Sequence, residues 1–186
     1  MDTKNIIQML YYIIKNGKKP YDKVSLLKLV FFSDRYHLRK YGRSISHDTY
    51  YAMKHGAVAS NVKDILSQNF ESDEEQEYFF NYISISDNKY YITNKEKSLE
   101  MLSKTNEEAM DFALKHFGNI ETFKLAEISH QYPEWKKMEQ LLAGGLKRQK
   151  MDIIDFFLDS KIKDDPYQEI PQDIVEMSKD FYLGKF

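Results

Sequence analysis

The 186-residue chain contains no cysteine. Disulfides, thiolate metal sites and a cysteine nucleophile are therefore excluded, and the composition fits a reducing cytosol. Tryptophan occurs once. No apolar run approaches the roughly 20 residues that span a bilayer. Residues Met1 to Lys4 lead straight into an amphipathic segment rather than a basic stretch followed by an apolar one, so no signal peptide is expected. No Walker sequence, dinucleotide-binding glycine pattern or nucleophile elbow occurs. Repeats, low-complexity stretches and strong linkers are also missing, so one domain over 1–186 is expected.

What is present is an aromatic, charge-segregated chain. Hydrophobic residues make up 42% and aromatics 15%, with 14 Tyr and 12 Phe, enough for a real core. The net charge of −2 divides unevenly: residues 1–60 hold 11 Lys+Arg against 4 Asp+Glu, and the remainder 16 against 25. This asymmetry reads either as two solvated faces or as a basic docking surface for an acidic partner or nucleic acid.

The pattern predicts a mainly α fold with a small β element: a compact helical domain carrying a β-hairpin and a short strand. Helices are expected over 5–16 and 23–41, the second being central. A loop into a short strand is expected over 45–53. A third helix, 61–70, is expected with Ser60 as cap, and the acidic run 71–77 as a loop or helix start. The alternating runs 80–85 and 89–93 around Asp87-Asn88 predict the hairpin. Helices follow over 106–117, with Thr105 as cap and Glu108 completing a capping box, and over 122–131. Pro133 opens a short helix holding Trp135. Gly144-Gly145 suggests a flexible connection over 141–150, before last helices at 152–158 and 172–182.

The stretch Ser25 to Val58, SLLKLVFFSDRYHLRKYGRSISHDTYYAMKHGAV, carries most of the chemistry. Asp34, Arg35 and His37 lie near an apolar stripe and need partners, because an unpaired buried charge is costly. Asp34 and His37, at i and i+3, are neighbours on one helix face. They read as an acid–base pair or as a structural hydrogen-bond network. The second reading is preferred because no nucleophile or metal accompanies them. His37, His47, Asp48 and His55 lack the spacing of known metal motifs, so no metal and no cofactor are expected. Tyr50, Tyr51, Lys54 and His55 form an aromatic and basic cluster before Gly56; such clusters stack on bases or anchor protein interfaces. Trp135 reads as a core plug or an interface anchor.

The run Leu26 to Val58, together with FKLAEISHQYPEWKKM at 123–138, resembles the signature of the Panacea domain, also called SocA-like, over about residues 5–140. The matching positions are Lys28, Leu29, Asp34, His37, Gly42, Asp48, Tyr50, Gly56, Val58, His130 and Trp135. One departure is Ala57, where the family usually carries proline, which would stiffen the corner. The resemblance implies a mainly helical fold and an antitoxin, with no enzymatic activity and no cofactor, often found on phages and mobile elements. Its partner would be a cognate protein toxin, neutralised by direct binding. Other readings are an adaptor delivering the toxin to a bacterial protease and a nucleic-acid-binding regulator. An enzyme using Asp34 and His37 is the remaining one, and no membrane partner is expected. Lys28, Arg35, Tyr50, Tyr51, Lys54, His55, Gly56 and Trp135 are candidates for partner contact. Asp34, His37, Asp48 and His130 are candidates for a structural polar network. The apolar tail FYLGKF, 181–186, is a candidate protease signal or a docked helix end.

Overall fold

The computed structural model describes residues 3–94 and 96–185. Helix α1 (Thr3–Asn16) buries Ile6, Ile7, Met9, Leu10 and Ile13 at helical spacing. After the two-residue strand β1 (Tyr21–Asp22), the Asp22 carboxylate accepts the Ser25 N–H at 2.8 Å and caps α2 (Lys23–Tyr41). Every residue of α2 from Ser25 to Arg39 is buried. A helix apolar on all sides through its first half has to run through the core rather than along its surface. Gly42 ends it at φ 68, with its N–H on the Leu38 carbonyl.

Strands β2 (Tyr50–Met53) and β3 (Gly56–Ala59) form an antiparallel hairpin, followed by α3 (Ser60–Leu66). Helix α4 (Asp73–Tyr82) starts at the Ser72 cap with three carboxylates in its first turn, where the helix dipole favours them. Strands β4 (Ile83–Ser86) and β5 (Lys89–Ile92) are joined through Asp87 and Asn88. Both have positive φ, the geometry that matches a two-residue turn to strand twist. β1 adds to β5 to complete one small sheet. The chain continues through α5 (Lys104–Phe117), α6 (Thr122–Ser129), α7 (Pro133–Lys136) and α8 (Glu139–Ala143). Strand β6 (Arg148–Lys150) returns to pair with β2, and two 3₁₀ turns (Ile153–Phe157 and Pro166–Glu169) precede α9 (Gln172–Tyr182). The fold is thus mainly helical α+β, as the periodicity predicts. The Phe32 and Phe117 rings stack at 4.0 Å in a core that also holds Phe31, Tyr132, Phe156 and Tyr167.

Several local expectations are corrected. Residues 141–150, expected as a flexible connection, hold the end of α8 and all of β6, whose backbone is held in register by β2. Residues 80–82 complete α4 instead of opening the hairpin. The 61–70 helix ends at Leu66, and Ser60 is its first residue rather than its cap. The capping box of α5 is made by Ser103 and Asn106, not Thr105 and Glu108. The 122–131 helix stops at Ser129, and 153–157 is a 3₁₀ turn.

Candidate functional site

The polar second half of α2 finds its main partners within the protein. Asp34 Oδ1 accepts the backbone N–H groups of Ile45 (2.6 Å) and Ser46 (3.1 Å). Its Oδ2 accepts the hydroxyls of Tyr50 (2.7 Å) and Ser46. Four donors satisfy this fully buried side chain, and through them it fixes the turn that feeds β2. His37 takes a different partner set. Its Nδ1 lies 2.7 Å from the Arg43 carbonyl and must donate, which leaves Nε2 to accept from Thr105 Oγ1 (3.0 Å) and Asn106 Nδ2 (3.2 Å). Burial pushes its pKa down, in keeping with a neutral ring. Asp48 accepts the N–H groups of Asn61 (2.8 Å) and Val62 (3.0 Å) and so caps α3 from across the hairpin. Ser46 links the Asp34 carboxylate to the Asp48 backbone, since its oxygen also accepts the Asp48 N–H.

The β2–β3 hairpin is held from below at both sides of its tip. Trp135 Nε1 donates to the Met53 carbonyl (3.0 Å), and Lys28 Nζ to the Ala57 carbonyl (2.7 Å). Between them Gly56 sits at φ 98, and a Cβ there would come within 2.2 Å of Ser129 Oγ and 2.6 Å of Lys28 Nζ. Only glycine fits so close an approach. Lys28 is 1% exposed, and burial pushes its amine down to about 7. His130 stacks on the Trp135 indole at 3.8 Å. Burial first, then the nearby Lys28 amine, push the imidazole down to about 4. The tip residues Lys54 and His55 are exposed.

A third polar set ties the end of the chain to α2. Arg35 Nη1 meets both oxygens of Glu134 at 2.7 and 2.6 Å, and its Nη2 donates to the Leu158 carbonyl at 2.7 Å. The guanidinium also lies 4.5 Å from the centre of the Tyr132 ring and 5.1 Å from that of Tyr167. Arg39 donates to the carbonyls of Phe157 and Leu158 and to Asp159. Nearer the surface, Glu108 accepts from Lys40, Tyr36 and Tyr41. Burial alone would raise this carboxyl, but those three donors hold it at about 2.

A family model described as antitoxin SocA-like, Panacea domain, matches residues 26–136. The chain belongs to this family. No curated protein and no solved structure matches it. The matched span of this SocA-like domain runs from the first apolar turn of α2 to the last residue of α7. It contains the Asp34 and His37 networks, the braced hairpin and the Arg35–Glu134 pair.

The geometry sorts the candidate partner residues. Tyr51 is half-buried, and Lys54 and His55 are exposed, so these three remain available to a partner. Lys28, Arg35 and Tyr50 are not at the surface: each is at most 1% exposed and spent on an internal acceptor. Gly56 is buried as well, because the tip closes over Lys28 and Ser129. Trp135 is 5% exposed, a core plug with one edge on a cleft.

The four polar candidates do not form one network. Asp34 and Asp48 are linked through Ser46, His37 is hydrogen-bonded elsewhere, and His130 lies under the tip with Trp135. The i, i+3 neighbours Asp34 and His37 share no hydrogen bond among the described residues. Glu134, Ser46 and Ser129 were missed in the sequence. Glu134 sits in the charged run PEWKK, where nothing marks it as the one carboxylate turned inward. Among the described residues no three His, Cys, Asp or Glu side chains gather as metal ligands, and no helix is long and apolar enough to cross a membrane.

Proposed function

We propose that this chain is the antitoxin of a toxin–antitoxin pair and neutralises a cognate protein toxin by direct contact, acting as a binding protein in the cytoplasm rather than as an enzyme. Membership of the SocA-like family supports an antitoxin role. The observation that carries the contact reading is the braced hairpin. Donors from Lys28 and Trp135 lock both flanks of the tip, so Lys54 and His55 are presented on a rigid support. A pre-ordered contact surface loses less entropy on binding. The groups that would do acid–base chemistry are engaged internally: Asp34 holds a backbone turn, and His37 is buried between Arg43 and α5.

Co-expression with the product of the adjacent gene tests this reading. Growth arrest by the neighbour alone, relief by this chain, and co-purification of the two support direct neutralisation. A double change, Lys54→Glu with His55→Ala, should then weaken the complex; unchanged affinity removes the tip from the contact. Relief in which the neighbour disappears, but persists in protease-deficient cells, favours the adaptor reading. That reading draws on Phe181 and Leu183, which are 58% and 40% exposed near the C-terminal end of α9. Phe186, the last residue of the tail signal, lies outside the described residues. A harmless neighbour defeats the antitoxin reading.

A further inference from the structure

Beside the hairpin tip lies a cleft of about 620 Å³ between the tip and the α8–β6 connection. Trp135, Leu142 and Ala143 supply its apolar lining. Leu146 adds to it and remains 44% exposed, as does Leu141 nearby at 52%. Apolar side chains left open on one short segment mark a surface that a partner covers. The rim is basic. Lys54 and Lys147 both line the cleft and make no ion pair among the described residues. The β2–β6 register, with Met53 opposite Arg148, puts them one step beyond the last strand pair. His55 and Arg148 are exposed next to them. The lining carboxylate, Glu139, is engaged by Lys136 at 2.7 Å. The cleft therefore offers an apolar seat ringed by unneutralised positive charge.

We infer that this cleft binds an acidic, leucine-bearing segment of the toxin. The inference rests on the antitoxin reading and adds to it the chemistry of the contacted segment. Charge complementarity selects carboxylates for the rim, and the apolar lining selects large aliphatic side chains, as in the core of an interface. Nucleic acid would satisfy the rim but leave Leu142 and Leu146 unmatched, and the chain's overall charge of −2 opposes it. The lining residues 139–147 lie outside the matched family span, so the cleft combines Lys54 and Trp135 from within the span with a segment beyond it.

Trp135 is the sole tryptophan, so its fluorescence reports occupancy of this cleft directly. The full chain is titrated with a synthetic peptide of leucines spaced among glutamates, with its lysine counterpart, and with oligothymidine. The acidic peptide should give a saturable change that weakens with salt. Lys54→Glu with Lys147→Glu should weaken it about tenfold or more, and so should Leu146→Asp, both with an unaltered urea midpoint. No response, an equal response to the lysine peptide, or preference for oligothymidine overturns the inference. The growth assay separates the two levels of the reading. If the wild type relieves arrest and the double charge reversal does not, the cleft is the toxin contact. If both relieve it equally, the cleft is not. If the wild type fails, the antitoxin reading falls, and the peptide titration alone decides the cleft.

Discussion

Arg35 and Glu134 meet with no solvent exposure on either side chain, 99 residues apart in the chain, and join the middle of α2 to the first turn of α7. Burial pushes the Glu134 carboxyl up and the guanidinium opposes that push, so the carboxylate depends on Arg35 to stay charged. Glu134→Gln should lower stability by about 3–5 kcal/mol, the cost of leaving a buried charge alone. Replacing both, as Arg35→Met with Glu134→Leu, should recover much of the loss. Urea unfolding of the wild type and the two variants checks this; a double variant no more stable than Glu134→Gln would show that the lone buried charge is not what costs the stability.

The turn at Gly56 allows no side chain. At φ 98, with Ser129 Oγ and Lys28 Nζ closing on the position, Gly56→Ala should destabilise the protein by about 2–4 kcal/mol through backbone strain and overlap together. Because the hairpin tip would have to lift, toxin affinity should fall with stability. A denaturation midpoint equal to wild type would contradict the close packing beneath the tip.

Lys28 should leave a mark on the pH dependence of stability. Its amine is held at about 7 when folded and titrates near 10.4 when unfolded. Between those values the unfolded chain binds the extra proton, so stability rises with pH, by about 1.4 kcal/mol per unit from this group. The gain is complete above the unfolded value and is lost as pH falls through about 7. Comparing unfolding free energies from pH 7 to 10 isolates the contribution: Lys28→Met should lack the rise, and parallel profiles would refute the burial of a titrating amine.

Residues 151–186 should be needed for folding. Phe156, Phe157, Tyr167 and Val175 are buried, and Tyr167 donates to the Phe32 carbonyl at 2.7 Å. A chain ending at Lys150 would leave Arg35 and Arg39 without the carbonyls of 157–158. It should therefore lose cooperative unfolding as followed by circular dichroism. A sharp transition near that of the full chain would make 151–186 a dispensable extension.

Local grammar was readable along the chain. Periodicity gave α1 to within two residues, and both ends of α2 and α9, because the repeat is set by neighbouring side chains along one helix. The Asp87-Asn88 turn was legible because its signal, too, is local. What was misread depends on distant partners. Asp48 caps α3 from another segment, Glu108 serves Lys40 rather than its own helix start, and the Gly-Gly stretch gains a strand only because β2 offers an edge.

The candidate site divides along the same line. The sequence by itself determined the central helix and the family signature, since these follow from residue type and spacing. Only the tertiary structure decided that Lys28, Arg35 and Tyr50 face inward, because the same side chains are as well placed for a surface as for a core until acceptors arrive. Those acceptors are the Ala57 carbonyl, Glu134 and Asp34. Burial without them would be prohibitive, and the fold supplies them from segments up to 99 residues away.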